Sequence, residues 1–310
     1  MIHVVAGILR DERGRILLAQ RPPGKHLAGL WEFPGGKCEP GESPEHALRR
    51  ELREEIDVEI GAVNRRIAVP WRYAQKSILL DVYDVASFTG AVHGREGQAL
   101  RWVPFDEIGT LPMPPADRPV IAALQLPLHY VITPEPDDET AFLRGIEHAL
   151  RAGEKCIQLR SKHLAPDRLR ALAQAARELT RSTRADLLIN GHLELAREIG
   201  VGIHLPAATL MQLRARPIGE DVWVAGSCHN EREILQAAAI GVDFAVLGPV
   251  RRTTSHPGAE PLGWDRFAEL CAQAPFPVYA LGGLAPADVA AARAAGAQGV
   301  AGISGFWSNG

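Results

Sequence analysis

Apolar and polar positions alternate along the first part of the chain as expected of a sheet with helices beside it. Period-two alternation predicts strands at residues 4–9 and 16–20, with a polar turn between them. Further apolar stretches predict strands near residues 67–69, 77–85 and 99–103. A helix begins near Pro44 and a second covers about residues 117–124, so we expect a mixed sheet with helices over its faces.

Beyond residue 127 the pattern changes to strands that alternate with amphipathic helices. The strand segments read, in chain order, LHYVIT, KCIQLR, ADLLIN, VGIHL, VWVAGSC, FAVLG, PVYALGG and QGVAGIS. Helical stretches that separate them include residues 140–152, 166–181, 231–239 and 286–295. Eight such repeats in this length predict a closed (β/α)8 barrel.

The length of 310 residues favours two domains. The pattern changes at Gln125-Leu126-Pro127, where almost no linker separates the last helix of the first half from the first strand of the second. We therefore expect an α/β chain with one domain over residues 1–126 and a barrel domain over residues 127–310.

Composition and charge exclude several classes of function. A formal net charge of −3 leaves no basic excess for a surface that binds duplex nucleic acid. No apolar run approaches the length that spans a membrane, and the N-terminus does not resemble a signal peptide. Four cysteines lie far apart without a CxxC pair, which indicates free thiols in a reducing compartment. We expect a cytoplasmic protein.

An acidic stripe on the first helix is the strongest chemical signal in the chain. Glu51, Glu54 and Glu55 lie at i, i+3 and i+4, so their carboxylates share one face, and Glu42 precedes the helix closely enough to fold back toward it. Carboxylates gathered in this way suit a hard cation such as Mg²⁺. The alternative is a solvated helix face. A metal site is favoured because the stripe borders apolar positions and follows a Gly-Gly turn.

The segment that carries this stripe resembles the Nudix signature. Eight of its nine specified positions are occupied by Gly36, Glu42, Arg50, Glu51, Leu52, Glu54, Glu55 and Val58. The departure is Asp57, which stands where the family has the glycine that ends the helix, and Asp tolerates a left-handed conformation better than most residues. The resemblance implies an α/β/α sandwich that hydrolyses a nucleoside diphosphate linked to another group.

The same resemblance implies the roles of the site residues. Glu51, Glu54 and Glu55 would be metal ligands, with Gly36 in the same set, and Mg²⁺ would be the cofactor, with Mn²⁺ as the alternative. Which carboxylate accepts the proton of the attacking water is left open. Arg50 is expected to orient the carboxylates by ion pairing.

Beyond the signature, the chain resembles the MutT-like 8-oxo-dGTP pyrophosphohydrolases. The run LLAQRPPGKHLAGLWEFPGGKCEPGE is similar to theirs, as are the REGQ stretch and the segment 114–119. This implies that Glu96 is a further metal ligand or catalytic carboxylate and that Arg21 holds a phosphate, with a surface cation as the alternative for Arg21. His26 is expected to be a structural loop residue.

Asp117 stands where the MutT-like enzymes have a base-reading asparagine. An ionised aspartate only accepts hydrogen bonds, so it would lose the donor that asparagine offers to a purine O6. A role as a helix N-cap is the alternative for this side chain. The carboxylate could still accept from N1–H and the exocyclic amine of guanine, so the substitution weakens the expectation of selectivity for an oxidised base.

Residues 128–307 resemble thiamine-phosphate synthase and its TenI-like relatives. The run Gln158-Leu159-Arg160-Ser161-Lys162 matches the strand that holds a pyrophosphate, and glycine loops follow strands seven and eight. We expect a phosphate-ligand site for a phosphorylated thiamine-pathway compound, formed by Gln158, Arg160, Lys162, Gly282, Gly283 and Ser304. Glycine at a strand end is also typical of a tight turn.

Departures from the synthase pattern argue against catalysis in the barrel. Asn190-Gly191-His192 replaces Asn-Asp-Arg, and the segment 204–209 lacks a second metal-binding aspartate. The catalytic lysine corresponds to His256 or a near neighbour, and the histidine of TenI corresponds to Pro249. Without magnesium carboxylates, a leaving pyrophosphate would have little to neutralise it.

The leading hypothesis is a Nudix hydrolase that converts 8-oxo-dGTP, or a related nucleoside triphosphate, to the monophosphate and pyrophosphate. Its barrel would be non-catalytic. Three alternatives remain: a bifunctional enzyme that also forms thiamine phosphate, a hydrolase of thiamine-pathway diphosphates, and a barrel that regulates the hydrolase by binding a ligand.

Overall fold

The computed structural model describes residues 1–253, 258 and 260–307. The chain divides into two compact units, Met1–Leu124 and Gln125–Gly310. The position of the domain boundary stays a prediction. His256 lies outside the described residues.

The first unit is built on three small sheets. Its strands are β1 Ile2–Ile8, β2 Ile16–Gln20, β3 Trp31–Glu32, β4 Gly35–Lys37, β5 Glu59–Ile60, β6 Val63–Arg72, β7 Ser77–Val85, β8 Phe88–Thr89 and β9 Leu100–Val103. The strand orders are β4-β1-β7-β6, β3-β2-β9 and β5-β8. Strands β1 and β7 run parallel, whereas the other pairs in this unit are antiparallel. Strands β3, β4, β5 and β8 are too short to show a sequence period, so the sequence did not predict them.

Two helices cover opposite sides of the strands. Helices α1 (Pro44–Ile56) and α2 (Arg118–Gln125) belong to different apolar cores. In the first core Leu48 and Leu52 of α1 lie with Val5 of β1. In the second, Val120 of α2 lies with Ile8 of β1. Because one strand supplies side chains to both cores, the sheet lies between the helices, and the predicted α/β/α sandwich is confirmed.

The second unit is a closed barrel of eight parallel strands. These are β10 His129–Ile132, β11 Cys156–Leu159, β12 Asp186–Asn190, β13 Gly202–Leu205, β14 Val224–Cys228, β15 Phe244–Leu247, β16 Val278–Leu281 and β17 Gly299–Gly302. Neighbours in sequence pair in order, and β17 pairs with β10 to close the barrel, which confirms the predicted barrel fold.

Helices between the strands cover the outside of the barrel. They are α3 Glu139–Arg151, α4 Pro166–Thr183, α5 Leu193–Ile199, α6 Ala207–Leu210, α7 Glu231–Ile240, α8 Gly263–Cys271 and α9 Val289–Ala294. Short 3-10 helices lie at Phe105–Thr110 and Pro115–Asp117 in the first unit and at Pro286–Asp288 in the barrel. Within the described part of the chain, no helix has the length and apolar character needed to cross a membrane.

Candidate active site

Helix α1 carries the acidic stripe, and capping residues define both of its ends. Ser43 is the N-cap, and its hydroxyl accepts a hydrogen bond from the backbone N–H of His46, while Pro44 occupies the first turn. The helix ends at Asp57, which takes the left-handed conformation with φ 61° and ψ 39°. Aspartate therefore does at this position what the family's glycine does. A contact between Arg95 Nη1 and Asp57 Oδ1 at 3.1 Å helps to hold the turn.

Arg50 lies at the centre of the predicted carboxylate group. Its guanidinium donates to Glu42 Oε2 at 2.8 Å, to Glu51 Oε1 at 2.9 Å and to Glu54 Oε2 at 3.3 Å. It also donates to the carbonyl of Lys37 at 3.0 Å. The hydrogen bonds that Arg50 donates to Glu42 and Glu51 raise the pKa of Arg50, and the bond to Glu42 lowers the pKa of that carboxyl. One cation therefore aligns three of the predicted acidic residues and the loop before them.

Glycine at position 36 allows Glu51 to lie directly against the chain. A Cβ on Gly36 would collide with the Glu51 carboxylate. At Gly35, φ is +155° and a Cβ would collide with the carbonyl oxygen of Val5 on β1. The missing side chain of Gly35 thus lets β4 lie against β1, and that of Gly36 leaves space for a carboxylate. Both positions therefore require glycine.

Glu55 is the buried member of the stripe. Its carboxylate accepts a hydrogen bond from the backbone N–H of Gly35 at 2.8 Å. Burial raises its pKa to about 7, and the negative charges of Glu32 and Glu96 act in the same direction. A neighbouring positive charge would favour the ionised form of this carboxyl group.

Glu96 is connected to Glu55 through Gln98, the last residue of the REGQ stretch, for which the sequence predicted no role of its own. Gln98 Nε2 donates to the backbone carbonyl of Glu55 at 2.9 Å, and the backbone N–H of Glu96 donates to Gln98 Oε1 at 2.9 Å. The Glu96 carboxylate forms an ion pair with Lys25, whose Nζ lies 2.6 Å from Oε2. The structure therefore places Glu96 beside α1, although 41 positions separate Glu96 from Glu55 in the sequence.

The donor set suits a divalent cation. In the part of the chain that the structure describes, no three His, Cys, Asp or Glu side chains form a cluster that could hold a metal ion. The residues nevertheless fit Mg²⁺ chemically, because all the candidate ligands are oxygen atoms. The Glu51 carboxylate lies against Gly36 and Glu55 is bound to Gly35 next to it, so two of the predicted ligands flank the same turn, and the metal site stays a prediction.

Asp117 is buried on the opposite side of the sheet from α1. It is only 5% exposed, and it accepts a hydrogen bond from the backbone N–H of Phe33. Burial and the charge of Glu32 raise its pKa well above the ordinary value, while Arg21 acts in the other direction. The burial that raises the pKa of Asp117 favours the neutral carboxyl group, which has an O–H donor and a carbonyl acceptor, much as asparagine has a donor and an acceptor.

Arg21 is held by internal partners. Its guanidinium forms an ion pair with Glu32, and its Nε donates to the carbonyl of His26 at 2.6 Å. The ring of His26 meets the edge of Tyr73, with 5.4 Å between centroids. Arg21 and His26 therefore organise the loop at residues 21–30, and a phosphate contact by Arg21 stays a prediction.

In the barrel, Gln158 belongs to a buried chain of hydrogen bonds. Gln158 Nε2 donates to the hydroxyl of Tyr130 at 3.1 Å, and that hydroxyl lies 3.1 Å from Nδ1 of His204. Nε2 of His204 lies 2.8 Å from Oγ of Ser227. Burial lowers the pKa of His204 to about 3, so the ring is neutral near pH 7. The pattern of the sequence did not predict this network.

The two predicted cations of the barrel have a different environment. Among the residues described, the guanidinium of Arg160 and the ammonium of Lys162 form no ion pair. The backbone N–H groups of Lys162 and His163 donate to the carboxylate of Glu135 at 2.9–3.1 Å, and so does the hydroxyl of Ser161 at 2.7 Å. An internal carboxylate therefore already uses the amides of this loop.

Gly282 and Gly283 have a packing reason to be glycine. Their φ angles are +108° and +64°. A Cβ on Gly282 would lie 2.6 Å from Cβ of Pro249, and one on Gly283 would lie 2.7 Å from the carbonyl oxygen of Arg252. Ser304 is exposed on the turn after β17. Close approach of the loop at residues 249–252 accounts for both glycines, and the phosphate site stays a prediction.

Comparison with known proteins separates the chain at the same place. Residues 5–123 match the family described as NUDIX domain, and residues 129–306 match the family described as thiamine monophosphate synthase. A CTP pyrophosphohydrolase from Escherichia coli is 45% identical over 124 residues, which are 40% of this chain and 90% of the relative.

Two further relatives give the same picture. An 8-oxo-dGTP diphosphatase from Haemophilus influenzae is 41% identical over 134 residues, covering 43% of this chain and 97% of the relative. A thiamine-phosphate synthase from Bacteroides fragilis is 31% identical over 169 residues, covering 52% of this chain and 83% of the relative. The chain therefore belongs to the Nudix family in its first part and to the thiamine monophosphate synthase family in its second, and it is an enzyme of the Nudix pyrophosphohydrolase type.

Proposed function

We propose that the first unit hydrolyses 8-oxo-dGTP, or a closely related nucleoside triphosphate, to the nucleoside monophosphate and pyrophosphate. The observation that carries the proposal is the carboxylate group aligned by Arg50 against the Gly35–Gly36 turn. The reaction would remove oxidised nucleotides from the nucleotide pool, and we propose that it takes place in the cytoplasm.

The protein contributes orientation and charge to this reaction. Glu51, Glu54 and Glu55, with the Gly36 backbone and Glu96 beside them, would hold Mg²⁺ or Mn²⁺. The metal would neutralise phosphate oxygens and lower the pKa of the attacking water. Arg50 keeps Glu42 and Glu51 in position through direct hydrogen bonds.

We infer that Asp117 reads the N7 and O6 edge of the base, where it would favour an oxidised purine. A neutral carboxyl group offers one donor and one acceptor side by side, as a carboxamide does. The N7–H and O6 of 8-oxoguanine complement that pair, whereas N7 and O6 of ordinary guanine are both acceptors. N3 and the N4 amine of cytosine also complement it. CTP is therefore the second candidate substrate, in agreement with the 45% identical CTP pyrophosphohydrolase.

A substrate panel with Mg²⁺ tests the proposal. We expect kcat/KM to be highest for 8-oxo-dGTP, with CTP next and dGTP lower. A clear preference for thiamine-type diphosphates would overturn the assignment and favour a role in thiamine metabolism. Dominant turnover of CTP would keep the reaction and change the substrate.

The barrel is proposed to bind a phosphorylated thiamine-pathway ligand without catalysis. Arg160 and Lys162 would supply the cations, and Gln158, Ser304 and the amides of Gly282 and Gly283 would complete the set. The absence of the two magnesium carboxylates from the sequence supports this view. Purified protein given hydroxymethylpyrimidine diphosphate and thiazole phosphate should form no thiamine phosphate. Formation of thiamine phosphate would show that the protein is bifunctional.

A further inference from the structure

The loop at residues 21–30 carries two cations that pair with two different carboxylates near Glu55. Arg21 pairs with Glu32, and Lys25 Nζ lies 2.6 Å from Glu96 Oε2. Gln98 bonds to the backbone of both Glu96 and Glu55, which places Glu96 beside Glu55. Burial raises the pKa of Glu55, and the charges of Glu32 and Glu96 act in the same direction. The loop therefore places its positive charges at the edge of the carboxylate group on α1.

The loop is braced by its own backbone. The N–H of Gly29 donates to the carbonyl of Arg21 at 2.9 Å, and the N–H of Arg21 donates to the carbonyl of Leu30 at 2.9 Å. At the tip of the loop, the ring of His26 contacts Tyr73, and burial together with the charge of nearby Asp117 raises the pKa of Tyr73. Lys25 thus extends from a braced loop that reaches from the carboxylates to the side of the unit where Asp117 lies.

The two ion pairs differ in how firmly they are held. Arg21 and Glu32 are mostly enclosed, with side chains 20% and 28% exposed, and Arg21 has a second partner in the carbonyl of His26. Lys25 and Glu96 are 54% and 51% exposed. Exposed pairs of long side chains contribute little to stability, so Lys25 can change partner at small cost. A triphosphate carries more negative charge than one carboxylate, so it would attract the Lys25 ammonium more strongly.

We propose that Lys25 is a phosphate-binding residue that exchanges Glu96 for an oxygen of the substrate's triphosphate, and so fixes the phosphate chain over the α1 carboxylates. This inference rests on the proposed nucleoside triphosphate hydrolysis. Lysine suits the role because its ammonium is a compact point charge on a flexible stem. Arg21, which pairs with Glu32 and the carbonyl of His26, holds the loop in place.

Removal of the Lys25 charge tests the inference. Lys76 provides a matched control, because its Nζ lies 5.9 Å from the centroid of the Tyr73 ring in the same unit. The full chain would be studied as wild type, Lys25→Met, Lys25→Arg and Lys76→Met. Calorimetry with Mg²⁺ would measure the Kd of a non-hydrolysable α,β-methylene nucleoside triphosphate and of the matching monophosphate. Steady-state kinetics on the preferred triphosphate would give KM and kcat.

We expect Lys25→Met to raise the Kd of the triphosphate analogue about tenfold, since one charge-assisted contact is lost. KM should rise similarly, and the Kd of the monophosphate should change much less. Lys25→Arg should restore most of the affinity, and Lys76→Met should have little effect.

Equal effects of Lys25→Met and Lys76→Met would overturn the inference in favour of general electrostatic attraction. An unchanged Kd in Lys25→Met would overturn it as well. Failure of the wild-type protein to hydrolyse any nucleoside triphosphate would instead overturn the proposed function, and the inference with it.

Discussion

The carboxylate group of the first unit and the polar chain inside the barrel are both hydrogen-bonded clusters, yet they differ in what they leave for a ligand. Around Arg50 the groups are charged and partly open to solvent. Three glutamates share the single charge of Arg50, and Glu96 beside them pairs with Lys25. From Gln158 to Ser227 the groups are neutral and bonded to one another. Charge that is held in position but not fully neutralised is suited to catalysis with a cation, whereas a neutral, satisfied network is suited to stability.

Loss of a single charge in the first unit should have the largest effect. Glu54→Gln removes the charge of a predicted metal ligand. In the structure Glu54 Oε2 accepts a hydrogen bond of 3.3 Å from Arg50. We expect kcat/KM to fall by about a hundredfold or more while the melting temperature stays nearly unchanged. Glu45→Gln, at an exposed position of the same helix, serves as the control. Activity within threefold of wild type would remove Glu54 from the site.

The second-largest effect on activity is expected from a substitution that changes the shape of the site but not its charge. Gly36→Ala places a Cβ where the Glu51 carboxylate lies, so that side chain must move away. We expect turnover to fall about tenfold to a hundredfold, with a smaller effect on thermal stability because the end of a flexible side chain can give way. Gly109→Ala is the matched control, since a Cβ at that position would have no other atom within 4 Å among the described residues. Equal activity of the two variants would contradict the importance of this close approach.

Asp117 tests whether a buried group of the first unit, whose pKa is raised by burial, also contributes to function. Asp117→Asn retains a donor and an acceptor, so the ratio of kcat/KM for 8-oxo-dGTP to that for dGTP should stay within about threefold. Asp117→Ala removes both and should reduce that ratio about tenfold or more, which is the effect of one bidentate base contact. A ratio unaffected by either substitution would show that other residues read the base.

The smallest effect on activity is expected from the barrel, where the prediction concerns stability and its dependence on pH. The folded-state pKa of His204 is about 3 and its ordinary value is 6.5, so the unfolded chain binds more protons between these values. Stability should therefore fall as pH decreases below 6.5, by roughly 1 kcal/mol per pH unit from this residue. Denaturant unfolding between pH 7 and pH 4.5 would measure the slope, and His204→Gln should be less steep. Parallel slopes would show that the histidine is not responsible.

Local spacing accounts for the part of the site that could be predicted. Glu51, Glu54 and Glu55 share a face because of helical geometry, and the caps at Ser43 and Asp57 are local as well. Eight strand patterns were enough for the barrel because each strand pairs with its neighbours in sequence. Short strands such as β4 show no period, and their pairing depends on contacts distant in sequence.

The sequence by itself determined the two-part α/β architecture and the acidic helix, because both follow from short-range periodicity. Only the tertiary structure decided which residues complete the two clusters. Gln98 connects Glu96 to Glu55, and Lys25 pairs with Glu96 across 71 positions. Gln158 joins His204 inside the barrel through Tyr130. Burial, which no local pattern specifies, raises the pKa of Asp117 and lowers that of His204, and both shifts favour the neutral form. These features depend on distance and solvent exposure, and both arise only when remote segments pack together.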